Sequence, residues 1–197
     1  MAKDDSKQRF LAAGHALLAA GKELGVNSVA RQAGLNKVLL YRYFTDWDGF
    51  VAELATGLNL WQPIRIELTE GLAVDRWADP VAAATWVFDA YQERLRADSG
   101  VLTIMANEQA RSSPLLRRLD VERETEGTII LQSILGKWPT ISRERAILLS
   151  ALLSAGISHL TLRARQVQFF NGLDLAKAET WSALLAEIRE ILVRLIA

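Results

Sequence analysis

The side chains best suited to chemistry gather between residues 26 and 50. The run VNSVARQAGLNKVLLYRYFTDWDGF brings Asn27, Asn36, Lys37, Tyr41, Arg42 and Tyr43 into one short stretch with apolar residues between them. Fixed positive charge, amides and phenol hydroxyls of this kind suit phosphate oxygens and base edges. Bond-breaking chemistry finds little support. The two histidines, His15 and His159, have no Glu or Asp three residues before them, so the Glu-x-x-His pair of helical di-metal sites is missing. No His-Glu-x-x-His, Gly-x-Ser-x-Gly or glycine-rich phosphate loop occurs. Cysteine is absent, which removes thiol nucleophiles, thiolate metal sites and disulfides. The expectation is a non-enzyme that uses no cofactor and no metal.

These residues need elements to hold them. Leucine (31) and alanine (28) dominate the 197-residue chain and both favour helix. Only four prolines occur, and Asp79-Pro80 and Ser113-Pro114 each read as a helix start. The spacing predicts helices over about 6–20, 26–33, 37–44, 47–60, 80–97, 100–111, 114–135, 142–168 and 175–196, while Pro63 and Gly71 leave the register between them open. No alternating β-branched run is present, so no strand is expected. No uninterrupted apolar run reaches bilayer length, and the N-terminus lacks the apolar core of a signal peptide, which favours a soluble protein of the cytoplasm. The formal charge is +0, yet residues 1–45 hold seven Lys/Arg against three acids, and the rest holds 16 against 20. A positive lobe on a mildly negative body suits a nucleic-acid contact near the N-terminus, although a solvated surface gives the same count.

Within 26–44 the pattern is two short helices and a turn. Val29, Ala30 and Ala33 give the first a small apolar face. Gly34 supplies a turn residue, Leu35 plugs the corner and Asn36 can cap the second helix. Leu40 and Phe44 lie at i and i+4 and face inward, which turns Lys37, Val38, Leu39, Tyr41, Arg42 and Tyr43 outward. This is a helix-turn-helix pattern. Lys37, Arg42 and the tyrosine hydroxyls can reach phosphates, and exposed Val38 and Leu39 suit thymine methyls. A pair of short core helices with surface tyrosines is the plainer alternative.

The run from Phe10 to Phe50 resembles the N-terminal domain of the tetracycline-repressor (TetR) family of transcription regulators. The likeness rests on Ala12-Ala13, Leu17, Gly21, Val29-Ala30, Ala33-Gly34-Leu35, Lys37 and Leu40-Tyr41-Arg42-Tyr43-Phe44, with Asp46 to Phe50 resembling the start of the fourth helix. Gly25 or Val26 replaces the threonine that often caps the second helix, and Trp47 replaces a frequent phosphate-contacting lysine. The resemblance implies an all-α fold: residues 1–45 as a three-helix DNA-binding domain and 46–197 as a larger helical domain for effector binding and dimerisation. It implies base contacts from Asn27, Lys37, Val38, Leu39 and Tyr41, and backbone contacts from Asn36, Arg42 and Tyr43. Trp47 would pack against the DNA backbone instead.

The expected function is a dimeric, ligand-responsive regulator, a repressor, that binds a palindromic double-stranded operator through the helix at about 37–44. A small apolar effector would release it. Candidate effector contacts are Trp61, Trp77, Trp86, Phe88, Tyr91, Met105 and Asn107; for each aromatic, plain core filling is the alternative. Two apolar stripes, Leu148, Leu152, Ala155, His159 and Leu162, and Trp181, Leu184, Leu185, Ile188 and Leu192, are candidates for a homodimer interface. The runner-up is a helical small-molecule-binding or adaptor module without specific DNA binding. No membrane partner is expected.

Overall fold

The computed structural model describes residues 2–108 and 114–196. Its helices are α1 (Ala2–Ala19), α2 (Val26–Ala33), α3 (Lys37–Phe44), α4 (Trp47–Gly57), α5 (Trp61–Ala73), α6 (Pro80–Ala97), α7 (Ser99–Glu108), α8 (Pro114–Lys137), α9 (Arg143–Ala164) and α10 (Ala178–Ile196). The fold is all-α, as the composition predicts, apart from one small hairpin. Its strands, β1 (Phe169–Phe170) and β2 (Leu173–Asp174), pair antiparallel between α9 and α10. The chain divides into two compact units, Met1–Asn59 with Asp98–Glu122, and Leu60–Ala97 with Arg123–Ala197.

In the first unit, α1 packs against α2, α3, α4 and α7. A relay of rings sets the tilt of α3. Phe44 stands edge-on to Phe10 at 6.2 Å and to Phe50 at 5.1 Å. Leu40, Phe10, Phe50 and Leu54 are fully buried around it. Burying a phenylalanine or leucine contributes about 1.5–3 kcal/mol each, enough to fix which way a two-turn helix faces. Lys7 pairs with Glu53 and ties α1 to α4.

In the second unit, α6 is the central helix, with α5, α9 and α10 packed on it. Arg65 pairs with Glu126, and Lys137 with Asp75. Asp79 caps α6 by accepting the Ala82 N–H at 2.8 Å. Ser113, the matching cap before Pro114, lies outside the described residues.

Several expectations need correction. Helix α5 runs unbroken through Pro63, because proline in a first turn gives up an N–H that had no intrahelical partner. The expected helix to residue 168 ends at Ala164, and Asn171-Gly172 turns the chain with φ of 47° and 84°. That pair is a two-residue hairpin signal. Helix α9 is long and apolar enough to cross a membrane by length and composition, against the expectation that no segment is. Serines and a glycine interrupt its apolar residues, but no charged residue falls between Arg145 and Arg163. Finally, Trp181, Ile188 and Leu192, expected at a homodimer interface, are core residues of their own unit. They are buried on the face α10 turns to its own unit, and the Trp181 indole donates to the Leu175 carbonyl at 3.0 Å.

Candidate nucleic-acid interface

The pair α2 and α3 is fixed by three local devices. Ser28 replaces the missing side-chain cap of α2: its hydroxyl oxygen accepts the Gly25 N–H at 3.0 Å. At the other end Gly34 adopts the left-handed conformation (φ 64°, ψ 33°), and the Leu35 N–H reaches back to the Ala30 carbonyl at 3.0 Å. This closes the helix in the way glycine permits and a β-carbon resists. Asn36 then caps α3, its Oδ1 accepting the Val38 N–H at 2.9 Å. That oxygen is therefore engaged, which leaves the Asn36 amide NH2 for a phosphate.

The junction after α3 is tighter. Thr45 has φ 69° and ψ −54°, and the Asp46 N–H bonds the Phe44 carbonyl across it at 2.8 Å. This is a γ-turn of the strained hand. Asp46 at once caps α4 through the Gly49 N–H at 2.7 Å. A β-carbon on Gly49 would stand 2.1 Å from the Phe44 carbonyl oxygen, so this position admits glycine alone.

The consequence is a helix whose inner face is pinned at both ends. Its outer face presents Lys37, Val38, Tyr41 and Arg42, with Val38 64% and Tyr41 46% exposed. Leu39 is half-buried. Tyr43 is half-buried too, its ring 6.4 Å from Phe10, and Trp47 stacks on Phe50 at 5.0 Å. Both aromatics thus spend their rings on the fold. Asn27 is exposed on α2 and borders an open cleft of about 460 Å³ with Lys22 and Arg31.

The basic residues of the lobe divide by role. Lys7 is paired with Glu53, and Arg9 donates to the Ala33 carbonyl at 2.8 Å, closing the end of α2. Lys22, Arg31, Lys37 and Arg42 are exposed and make no salt bridge among the described residues. Lys22 and Arg31 lie outside the contact set expected from the sequence. Their signal lay in the charge count and not in the motif.

The aromatic set expected to bind an effector is not gathered into one lining. Trp61 stacks on Tyr91 at 4.1 Å, and the Tyr91 hydroxyl meets Ser158 Oγ at 2.7 Å. Trp77 and Trp86 form a separate corner, 5.0 Å apart, with the Arg76 guanidinium over both rings at 5.2 and 5.6 Å. Phe88 is core. Met105 belongs to the first unit. The side chain of Asn107 lies outside the described residues. Two polar groups on α6 were missed. Thr85 Oγ1 and Gln92 Oε1 are buried without a hydrogen-bond partner among the described residues. Leaving such an oxygen unmatched costs about 1–3 kcal/mol.

The remaining residues expected at the interface differ in exposure between the two helices. Leu148 and Leu152 are 58% and 70% exposed, with Ala155 and His159 exposed on the same side and Leu162 half-buried. On α10, Leu184 and Leu185 are half-buried, whereas Ile191, Val193 and Leu195 are exposed.

No protein-family model matches the chain, and no curated protein matches it. Solved structures do. The fatty acid degradation regulator FadR from Bacillus halodurans has a TM-score of 0.64 at 13% identity, over 94% of this chain and 97% of that one. The transcriptional regulator FadR from Bacillus subtilis, solved in complex with stearoyl-CoA, has a TM-score of 0.66 at 17% identity, over 96% and 99%. NalD, the secondary repressor of the MexAB-OprM multidrug efflux pump in Pseudomonas aeruginosa, has a TM-score of 0.66 at 17% identity, over 96% of both chains. The likeness runs nearly end to end and is one of fold.

Proposed function

We propose that this chain is a ligand-responsive transcriptional regulator of the tetracycline-repressor type, a cytoplasmic, non-enzymatic repressor. In this reading residues 1–45 are the DNA-reading head, and 46–197 are the body that binds an effector and a second copy. One observation carries it: the outer face of α3 holds Lys37, Val38, Tyr41 and Arg42 in the open, and Lys22 and Arg31 line a cleft with Asn27 on the same unit, without a salt bridge among the described residues. Cations position a protein on phosphates, while Val38, Leu39 and Tyr41 address base edges. Asn27, Asn36 and Tyr43 complete the contact set, and Trp47 supports it from below.

A single two-turn helix reads only a few base pairs. A homodimer presents two such helices about 34–36 Å apart on a palindromic operator. The exposed apolar side of α9, Leu148, Leu152, Ala155 and His159, supports that assembly, with Leu162, Leu184 and Leu185 at its margin. The effector we place against α6, where stacked Trp61 and Tyr91 offer apolar surface and the Thr85 and Gln92 oxygens await hydrogen-bond partners. The stearoyl-CoA complex of a fold relative supports an apolar effector. Such a ligand lowers operator affinity by its preference for one arrangement of the two heads over another.

The test is a gel shift against the DNA upstream of the chain's own transcription unit at two salt concentrations. Specific retardation, with log K falling by about 0.9 per neutralised phosphate for each unit of log salt, supports the reading. Sequence-blind binding, or none, would leave the runner-up, a helical small-molecule-binding module.

A further inference from the structure

We propose that the hairpin between α9 and α10 is an arm that reaches a second copy of this chain, setting Phe169 and Phe170 against Leu148 and Leu152 of that copy. The inference rests on the homodimer reading above and adds to it a contact made by a loop.

The hairpin is rigid at its base. The Leu175 N–H bonds the Gln168 carbonyl at 2.8 Å, and the Gln168 amide bonds both Asp174 carboxylate oxygens at 3.3 Å. Leu175 is buried, and its carbonyl accepts the Trp181 indole. An isolated two-stranded hairpin is marginal in water, so this fastening is what keeps it formed. It nevertheless carries Phe169, 61% exposed, on its first strand and Leu173, 38% exposed, beside its turn. Surface turns are ordinarily polar, and a large apolar group held out on a fixed support marks a contact point.

The hairpin stands at one end of the apolar side of α9, since the Phe170 ring meets the His159 ring edge-on at 5.5 Å. Along that side Leu148, Leu152, Ala155 and His159 recur at intervals of four, three and four residues, the spacing of a two-helix seam. The centre is small: Ala155, then Gly156, whose missing β-carbon would meet nothing within 4 Å. The most exposed leucines lie before this centre and the aromatic hairpin after it. A two-fold axis through the centre lays His159 of one copy opposite Leu152 of the other, and so brings hairpin onto leucines twice over. The surface is complementary to itself under that one operation.

Area points the same way. A 22-residue helix is about 33 Å long and about 10 Å wide, so α9 alone covers about 330 Å². A stable interface needs about 800 Å² from each partner. The hairpin, with Ile191, Val193 and Leu195 of α10, supplies apolar surface that α9 lacks. The opposite side of α9 is committed to its own core through buried Ile157 and Thr161 and the Ser158–Tyr91 bond. That tether favours a partner docking from the side over a lipid bilayer surrounding the helix.

The test uses the full chain, which has no cysteine of its own. Sedimentation should find the parent a dimer, and Phe169→Ser with Leu173→Ser should raise its dissociation constant at least about 30-fold without loss of helix. Mixing a Phe169→Cys chain with a Leu148→Cys chain and oxidising should give a disulfide-linked pair, which forms only when Cα atoms come within about 7 Å. A Val74→Cys chain, exposed at the end of α5, should not cross-link with the Phe169→Cys chain. A dimeric parent with neither effect overturns the arm and leaves the homodimer. A monomeric parent overturns both. A monomer that binds lipid vesicles through Phe169 also overturns the proposal and assigns the hairpin to a membrane.

Discussion

Helices α3 and α9 both hold apolar side chains in the open, and their surroundings differ. On α3, Val38 and Tyr41 stand between Lys37 and Arg42, and Lys22 and Arg31 are exposed on the same unit. On α9, Leu148 and Leu152 stand on a stretch without charge from residue 146 to 162. Exposed apolar area alone says only that something covers it. The neighbouring charge says what. Cations on the same short helix as exposed methyls fit a polyanion read by its base edges, because phosphate attraction supplies affinity and the methyls supply choice. A charge-free face with small residues at its centre fits another apolar face. On the regulator reading, α3 and α9 are therefore two docking surfaces, and each can be destroyed without touching the other.

The largest expected effect is on α9. Leu152→Glu sets a carboxylate in the middle of the proposed seam, where burial without a partner costs several kcal/mol. The dimer dissociation constant should rise by at least about a hundredfold, read by sedimentation equilibrium. Operator affinity should fall with it, because one head alone holds few base pairs, while helical content stays unchanged. An intact dimer in this variant would end the assignment of α9.

The converse variants sit on α3. Tyr41→Ala should weaken operator binding by about 1–3 kcal/mol for each head, chiefly at one base-pair position. Lys37→Ala should weaken it for all sequences and lower the salt slope by about one per head. Both should leave dimer mass and melting temperature alone, since neither side chain has a role in the core. Fluorescence anisotropy with operator variants checks this, and full affinity in both would mean that α3 does not read DNA.

The legibility of the two units differs for a physical reason. Helices α2 and α3 begin and end at the residues expected from Gly34 and Asn36, because left-handed glycine and the capping amide are local devices. Helix α5 carries no such device. Leu60 stands at its start without a side-chain cap, and Pro63 looks like a break although it lies in the first turn. The Asn171-Gly172 turn was there to be read, but its strands are two residues long and show no alternation. The apolar periodicity of α10 identified a buried stripe correctly and could not say what buries it. Trp181, Ile188 and Leu192 meet their own unit, and Ile191, Val193 and Leu195 are left in the open. The aromatics of α5, α6 and the connection between them likewise showed as a group in composition, whereas their pairing into Trp61–Tyr91 and Trp77–Trp86 depends on tertiary packing.

A smaller effect sharpens the account of α3. Thr45 holds a strained γ-turn so that Phe44 can enter the ring relay and Asp46 can cap α4 at once. Such strain costs about 1–3 kcal/mol, partly offset in a Thr45→Gly variant by the greater freedom of glycine in the unfolded chain. The net expectation is a gain of about 1 kcal/mol in urea unfolding, with operator affinity preserved because the helix keeps its facing. Lower stability would mean that the threonine side chain contributes more than the backbone strain takes away.

The smallest expected effect is on pH response, and it concerns the first unit. His15 on α1 lies beside Gly57 of α4, and burial lowers its pKa below the usual 6.5, with the Asp98 carboxylate at the start of α7 opposing part of that shift. The folded state therefore binds the proton less readily than the unfolded state does. Stability is complete above pH 6.5 and declines as pH falls from there through the lowered value, below which it levels off. A His15→Gln variant cannot take up the proton and should lose this part of the decline. Urea titrations of both proteins between pH 8 and pH 5 should converge or cross in the acid range. Parallel profiles would show that His15 is solvated in the folded chain and that α1, α4 and α7 close around it less tightly than their packing implies.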